Sequence, residues 1–341
     1  MSDQSVPVVY ESPKSPFKTR AWLNAWLSTY SDSANIRVLT LTHSNAECFE
    51  GNFYLSPLKM RGVRFEQLVP VGCSNNYLAT PRSEYNCFND VAVLGDLLNY
   101  LRKSRSTWHQ LYLPDMSPSA ELEEELVKLS RETRSMLSQA KCDLSYRIAP
   151  MAVESYLAQL SRSTRARYFG NRKRLSQLGE VQLRSLHLNN WGDFVEILNR
   201  MHRNRWMQDC YSQETAQFMH AFLSEGLAEG VQPQLSVMEV EGTICSVLLD
   251  ITYAGTRYNL QSGFIERFAT SVQLGSLHLG YAIEEALNLG LGYDFLAGTG
   301  RKDNYKAKIA TQCVPLTTYR LERGLLGYAR KVNQWITRGS H

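Results

Sequence analysis

Three β-rich stretches joined by two-residue glycine turns constrain this chain more than any other feature. They are "QLSVMEVEG" (234–242), "TICSVLLDITYAG" (243–255) and "TRYNLQSGF" (256–264). Glu241-Gly242 and Ala254-Gly255 suit tight hairpins, so the spacing predicts an antiparallel meander. A glycine-led turn, "SVQLGS" (271–276), then opens a predicted helix, "SLHLGYAIEEALNLG" (276–290). A short strand, "YDFLAG" (293–298), and a last strand around "VPLTTYRLE" (314–322) complete the order. Upstream, "TRAWLNAWLSTY" (19–30) places Trp22, Trp26 and Tyr30 on one helical face. Strands are expected at 36–43, 48–61, 63–72 and 108–116, with helices at 88–104 and 117–140. Ser117 and Pro118 read as the N-cap and first residue of the second helix. Strands alternating with helices put the chain in the α/β (α+β) class.

A chain of 341 residues is long enough for two domains. The expected division is an N-terminal arm (1–17), one lobe (18–150), a second lobe (151–330) and a tail (331–341). The tail's closing Arg-Gly-Ser-His reads as the remnant of a purification tag. Hydrophobic residues make up 43% and charged ones 21%, a globular balance, and the net charge of +4 does not by itself call for nucleic acid. No apolar run approaches the ~20 residues of a membrane span, and no signal-peptide core opens the chain. The 7 cysteines are scattered without a Cys-x-x-Cys pair, so neither zinc nor a disulfide framework is expected. A cytoplasmic, metal-free protein is the expectation.

Four stretches could carry chemistry. The first turn of the helix after Gln273-Leu274-Gly275-Ser276 leaves backbone N–H groups unpaired and carries partial positive charge, which suits a phosphate. Ordinary capping is the competing reading. "RSTRARYFGNRKR" (162–174) carries Arg162, Arg165, Arg167, Arg172, Lys173 and Arg174 with no acidic residue, and could meet phosphates or form a solvated helix. In "NRMHRNRWMQ", His202 and Trp206 lie four residues apart, hence on one helical face. His202 could accept a proton near neutrality or serve as a hydrogen-bonded structural histidine. Past the 293–298 strand, Gly298 and Gly300 permit positive φ, and Lys302 and Asp303 precede an adjacent Tyr305-Lys306.

Taken together, "TYAGTRYNLQSGF", "SVQLGSLHLGYAIEEALNLGLGYDFLAG", "YKAKIA" and "LNRMHRNRW" resemble the GNAT-fold acyltransferases related to cellulose-biosynthesis-type acetyltransferases. FemAB peptidyltransferases are more distant kin. The resemblance runs over most of 19–322. Leu274 stands where the family often has proline, and Asn76 where an Asp usually precedes Tyr77. It implies tandem GNAT-like lobes, each a mixed, mostly antiparallel sheet flanked by helices. It further implies acyl transfer from acyl-CoA to a small-molecule or saccharide amine (or hydroxyl) in an inter-lobe cleft. Tyr305, Lys306, Asp294 and His202 would be catalytic; Gln273, Leu274, Gly275, Ser276 and Gln261 would bind the donor. Lys306 would offer a cation to a phosphate or carboxylate, and Tyr305 a hydroxyl near the leaving group. An aminoacyl-tRNA donor, or a non-catalytic ligand-binding module, are the alternatives.

Overall fold

The computed structural model describes residues 6–32, 36–40, 52–60, 62–78, 80–88, 90–103, 107–266, 268, 272–298, 305–324 and 326–327. Gly300, Lys302, Asp303, Ser271 and the closing Arg-Gly-Ser-His of the sequence reading lie outside them. The chain forms two compact units: one of Ser15–Asp143 and Pro315–His341, the other of Met1–Lys14 and Leu144–Val314. These units are divided differently from the expected boundaries at 17, 150 and 330. The division falls inside two strands, where no change of composition marks it.

In the first unit, α1 (Arg20–Tyr30) starts at Thr19, whose hydroxyl accepts from the Trp22 amide. Trp22, Trp26 and Tyr30 are all buried, and Trp26 packs on Tyr54 at 4.8 Å between ring centroids. β1 (Arg37–Thr40), β2 (Asn52–Met60) and β3 (Val63–Pro70) form an antiparallel meander. α2 (Val93–Lys103) then crosses to β4 (Gln110–Met116), which lies parallel to β3. β11 (Gln312–Glu322) returns antiparallel to β4.

The second unit repeats that plan. Its sheet takes β6 (Val181–Leu186), β7 (Gln232–Val240), β8 (Thr243–Tyr253) and β9 (Thr256–Phe264) as an antiparallel series. The predicted hairpin turns hold, with Glu241, Gly242, Ala254 and Gly255 all at positive φ. A crossover helix, α9 (Leu274–Asn288), leads to β10 (Gly292–Asp294), parallel to β9. The end of β5 (Met136–Ile148) pairs antiparallel with β10. Meander, crossover helix, parallel strand and antiparallel neighbour thus occur in each unit, a mixed, mostly antiparallel arrangement of strands flanked by helices. The remaining helices of this unit are α4 (Val153–Gln159), α5 (Arg162–Arg165), α6 (Arg172–Ser176), α7 (Trp191–Trp206) and α8 (Gln213–Gly226), with a π-helical turn at Ala166–Gly170. Among the described residues, no helix is long and apolar enough to cross a membrane.

Two expectations are corrected. The helix predicted over 117–140 is α3 (Ala120–Thr133), capped by Ser119 and not Ser117. Arg134 turns left-handed at φ 51°, and the Ser130 hydroxyl donates to the Ser135 carbonyl, closing the helix. The rest of the stretch enters β5, whose pairing with β10 a local period could not reveal. The N-terminal arm, expected to be flexible, bonds to the second unit through its described residues. Val9 N donates to the Cys313 carbonyl at 2.8 Å, and the Tyr258 hydroxyl donates to that of Lys14 at 2.7 Å.

Candidate active site

The residues of interest gather in the second unit, where β9 gives way to the first turn of α9. β9 holds one extra residue there: Leu249 faces Gln261 while Asp250 faces Asn259, leaving Leu260 unpaired. Such a bulge bends a strand and re-aims its side chains. Gln261, half-buried, is the residue it displaces.

α9 starts at Gln273, which is exposed and whose side chain does not cap the first-turn amides. Leu274 is buried at 1% exposure and belongs to the core behind the helix, not to the solvent side. Gly275 answers to packing: a Cβ there would meet the Phe264 ring at 2.5 Å. The sequence reading assigned that glycine to close approach by an anion; Phe264 occupies the space instead. Ser276 lies beside the Tyr168 hydroxyl and draws its pKa down, against burial, which raises it. Tyr168 comes from the π-helical turn, which lies close enough to α9 that Gly280 admits no side chain at all.

His202, on α7, lies 3.2 Å from the Ser262 carbonyl through Nε2. Burial, helped by Arg205, pushes its pKa below the ordinary value despite that bond. The ring is therefore neutral at pH 7. A carbonyl only accepts, so Nε2 carries the proton and Nδ1 keeps a lone pair. That tautomer is a base with its acceptor nitrogen pointing away from the strand. Trp206, four residues along the same helix, is 41% exposed. Tyr305 packs against the core cluster around Tyr156 and Tyr293. Burial is the first cause, and Tyr168 the second, of a pKa pushed up to about 12, so its hydroxyl holds its proton.

Asp294 and Lys306 act on one turn. The Asp294 carboxylate is fully buried and accepts from the Leu296 amide at 2.7 Å and from the Ser145 hydroxyl at 3.2 Å. Leu296 stands at φ 56°, a conformation that needs such support. Lys306, only 9% exposed, donates through Nζ to the carbonyls of Leu296 and Ala297, each at 2.8 Å. The ammonium expected to meet a phosphate is turned onto the main chain, because two carbonyls in a half-buried turn need a donor. Lys306→Met is expected to lower stability by about 2 kcal/mol by removing it. A thermal melt of the ligand-free protein measures this; an unchanged midpoint would restore the ligand-facing role.

A second buried histidine passed unnoticed in the sequence. His278 lies on α9 with Nδ1 2.9 Å from the Ser246 hydroxyl and Nε2 2.9 Å from that of Ser236. The Ser246 hydroxyl donates to the Gly263 carbonyl at 3.1 Å. With that proton committed, Ser246 accepts from Nδ1–H, and Nε2 accepts from Ser236. The chain of bonds ends on the strand residue beside Ser262, so His202 and His278 fix adjacent carbonyls at the end of β9. Regular helical placement of His278 gave no clue, since its partners lie on β7 and β8.

Comparison with solved structures finds the same architecture at low sequence identity. A conserved protein of unknown function from Bacteroides thetaiotaomicron VPI-5482 is similar over 94% of this chain and all of its own, at 13% identity and a TM-score of 0.51. FemX is similar over 89% of this chain and 91% of its own, at 9% identity and a TM-score of 0.55. No curated protein matches the sequence. The segment that builds the site, residues 162–307, matches the family model described as the acetyltransferase (GNAT) domain.

Proposed function

We propose that the chain is a transferase that moves an acyl group from acyl-CoA to an amine by direct attack, within the second unit. The observation that carries the reading is the uncapped first turn of α9 beside the bulged end of β9. Its amides suit the phosphates of the carrier, and the bulge turns Gln261 away from the regular ladder. His202 Nδ1 accepts the proton of the attacking amine, directly or through one water. β9 amides beyond Tyr258, where its pairing with β10 ends, stabilise the oxyanion that develops on the carbonyl. Tyr305 at about 12 is too weak an acid to hand its proton fully to a thiolate of pKa ~8.5, so it acts as a hydrogen-bond donor to the leaving sulfur. Asp294 and Lys306 hold the 294–297 turn in place. Alignment of the two substrates supplies the remainder of the rate. Kinship with cellulose-biosynthesis-type acetyltransferases is part of the same reading.

One observation favours a second donor. Arg162, Arg165, Arg167, Lys173 and Arg174 are exposed and form no ion pair among the described residues. RNA phosphates would suit that surface, as an aminoacyl-tRNA donor requires. Acetyl-CoA titrated against the melting temperature, with and without ribonuclease, separates the two. At a hundred times its Kd the ligand adds about 2.7 kcal/mol. A shift that survives nuclease supports acyl-CoA; no shift with acetyl-CoA, and salt-sensitive binding of aminoacyl-tRNA, would replace it.

A further inference from the structure

Arg205, at the end of α7, is held between two aromatic rings and a carboxylate. Its guanidinium lies over the faces of Phe264 and Trp206, 4.7 Å and 5.0 Å from the ring centroids. Phe264 is the ring that covers Gly275, so one aromatic side chain separates Arg205 from the first turn of α9. The carboxylate of Glu266 comes within 2.9 Å of Nε, and that side chain is 44% exposed. Yet Nε is buried and makes no aligned hydrogen bond, because the oxygen lies off the N–H direction. By contrast, Arg257 in the same unit donates in alignment to Glu285 at 2.8 Å. Arg205 also influences the protonation of His202 and Tyr305, which places it among the groups of the candidate site.

A guanidinium stacked on rings keeps its plane fixed and its outward fork of donors intact, a geometry that matches the two oxygens of a carboxylate or phosphate. Glu266 supplies charge balance without supplying that geometry. Being exposed, it can turn into solvent at little cost. We propose that Arg205 is a specificity-determining residue that receives an oxyanion group of a substrate, with Glu266 displaced from it. The choice of substrates rests on the transferase reading: the oxyanion is either the carboxylate of the acceptor or a phosphate of the acyl carrier.

Isothermal titration of the full chain tests this with three probes: N-acetylglycine, its uncharged amide, and coenzyme A. Either the acid or coenzyme A is expected to bind, to weaken about tenfold in Arg205→Gln, and to recover partly in Arg205→Lys. Glu266→Gln, which removes the internal competitor, is expected to tighten the same probe. A response confined to the acid, with the amide indifferent, assigns the oxyanion to the acceptor; a response of coenzyme A assigns it to the donor. Affinities for all three probes that ignore Arg205→Gln, or that weaken in Glu266→Gln, overturn the proposal. The transferase reading fails separately, if wild-type protein discriminates acid from amide but binds no coenzyme A.

Discussion

Gly280→Ala is expected to lower the melting temperature sharply and to disable the candidate site. An added Cβ would stand 1.9 Å from the Tyr168 carbonyl oxygen and 2.8 Å from its carbon. Both are main-chain atoms of the π-helical turn, so no side-chain rotation relieves the clash and the turn must move away from α9. Overpacking of this kind costs about 3 kcal/mol or more, which corresponds to a fall of roughly 6–12 °C for a unit of this size. The same displacement pulls Tyr168 from Ser276 and loosens the start of α9. A helical glycine with open space around it serves as the control. Gly192 on α7 meets nothing within 4 Å, so Gly192→Ala should gain about 1 kcal/mol from helix propensity. Thermal melts of the two variants decide the matter: equal and small shifts would show that α9 and the π-helical turn do not meet as described.

The second large effect concerns two buried groups that titrate in opposition. Burial alone lowers His278 from an ordinary 6.5 to about 3. Its neutral form is favoured by the fold, so the stability it contributes is complete above pH 6.5 and is lost as pH falls toward 3. Asp250 accepts from Asn259 at 2.7 Å and Tyr293 at 2.8 Å, but burial outweighs those bonds and raises it from 3.8 to about 6. Its protonated form is favoured by the fold, so its contribution is complete below 3.8 and is lost as pH rises through 6. Each pH unit is worth about 1.4 kcal/mol for either group. Between pH 6 and 4 the two slopes offset one another in the wild-type protein. Single substitutions unmask them. His278→Gln is expected to gain stability on acidification from pH 6 to 4.5, by about 2 kcal/mol from Asp250. Asp250→Asn is expected to lose about as much, and to start losing it from pH 6.5. Urea unfolding across that range measures both slopes. Parallel pH profiles for the two variants would rule out this opposition.

How far the sequence reaches is visible at particular residues. The hairpins at Glu241-Gly242 and Ala254-Gly255 were legible because a two-residue turn needs left-handed backbone, and glycine supplies it locally. The Trp22, Trp26 and Tyr30 face was legible because a helix buries every fourth residue regardless of what covers it. Asp294 and Lys306 were visible as charged residues around a glycine-bearing turn, but not their work on its main chain. Tyr168 and Arg205 went unassigned within a basic segment and a helix end, since Ser276 and Phe264 beside them come from α9 and β9.

Sequence alone determined the hairpin turns, the antiparallel meander they join and the glycine-led helix that follows it, since local backbone preference and hydrophobic period act between near neighbours. Tertiary structure decided that β5 is a strand where a helix was expected, that Gly275 and Gly280 serve packing, and that His278 is neutral. Each of those depends on groups tens of residues away, whose approach and exclusion of water no local pattern encodes.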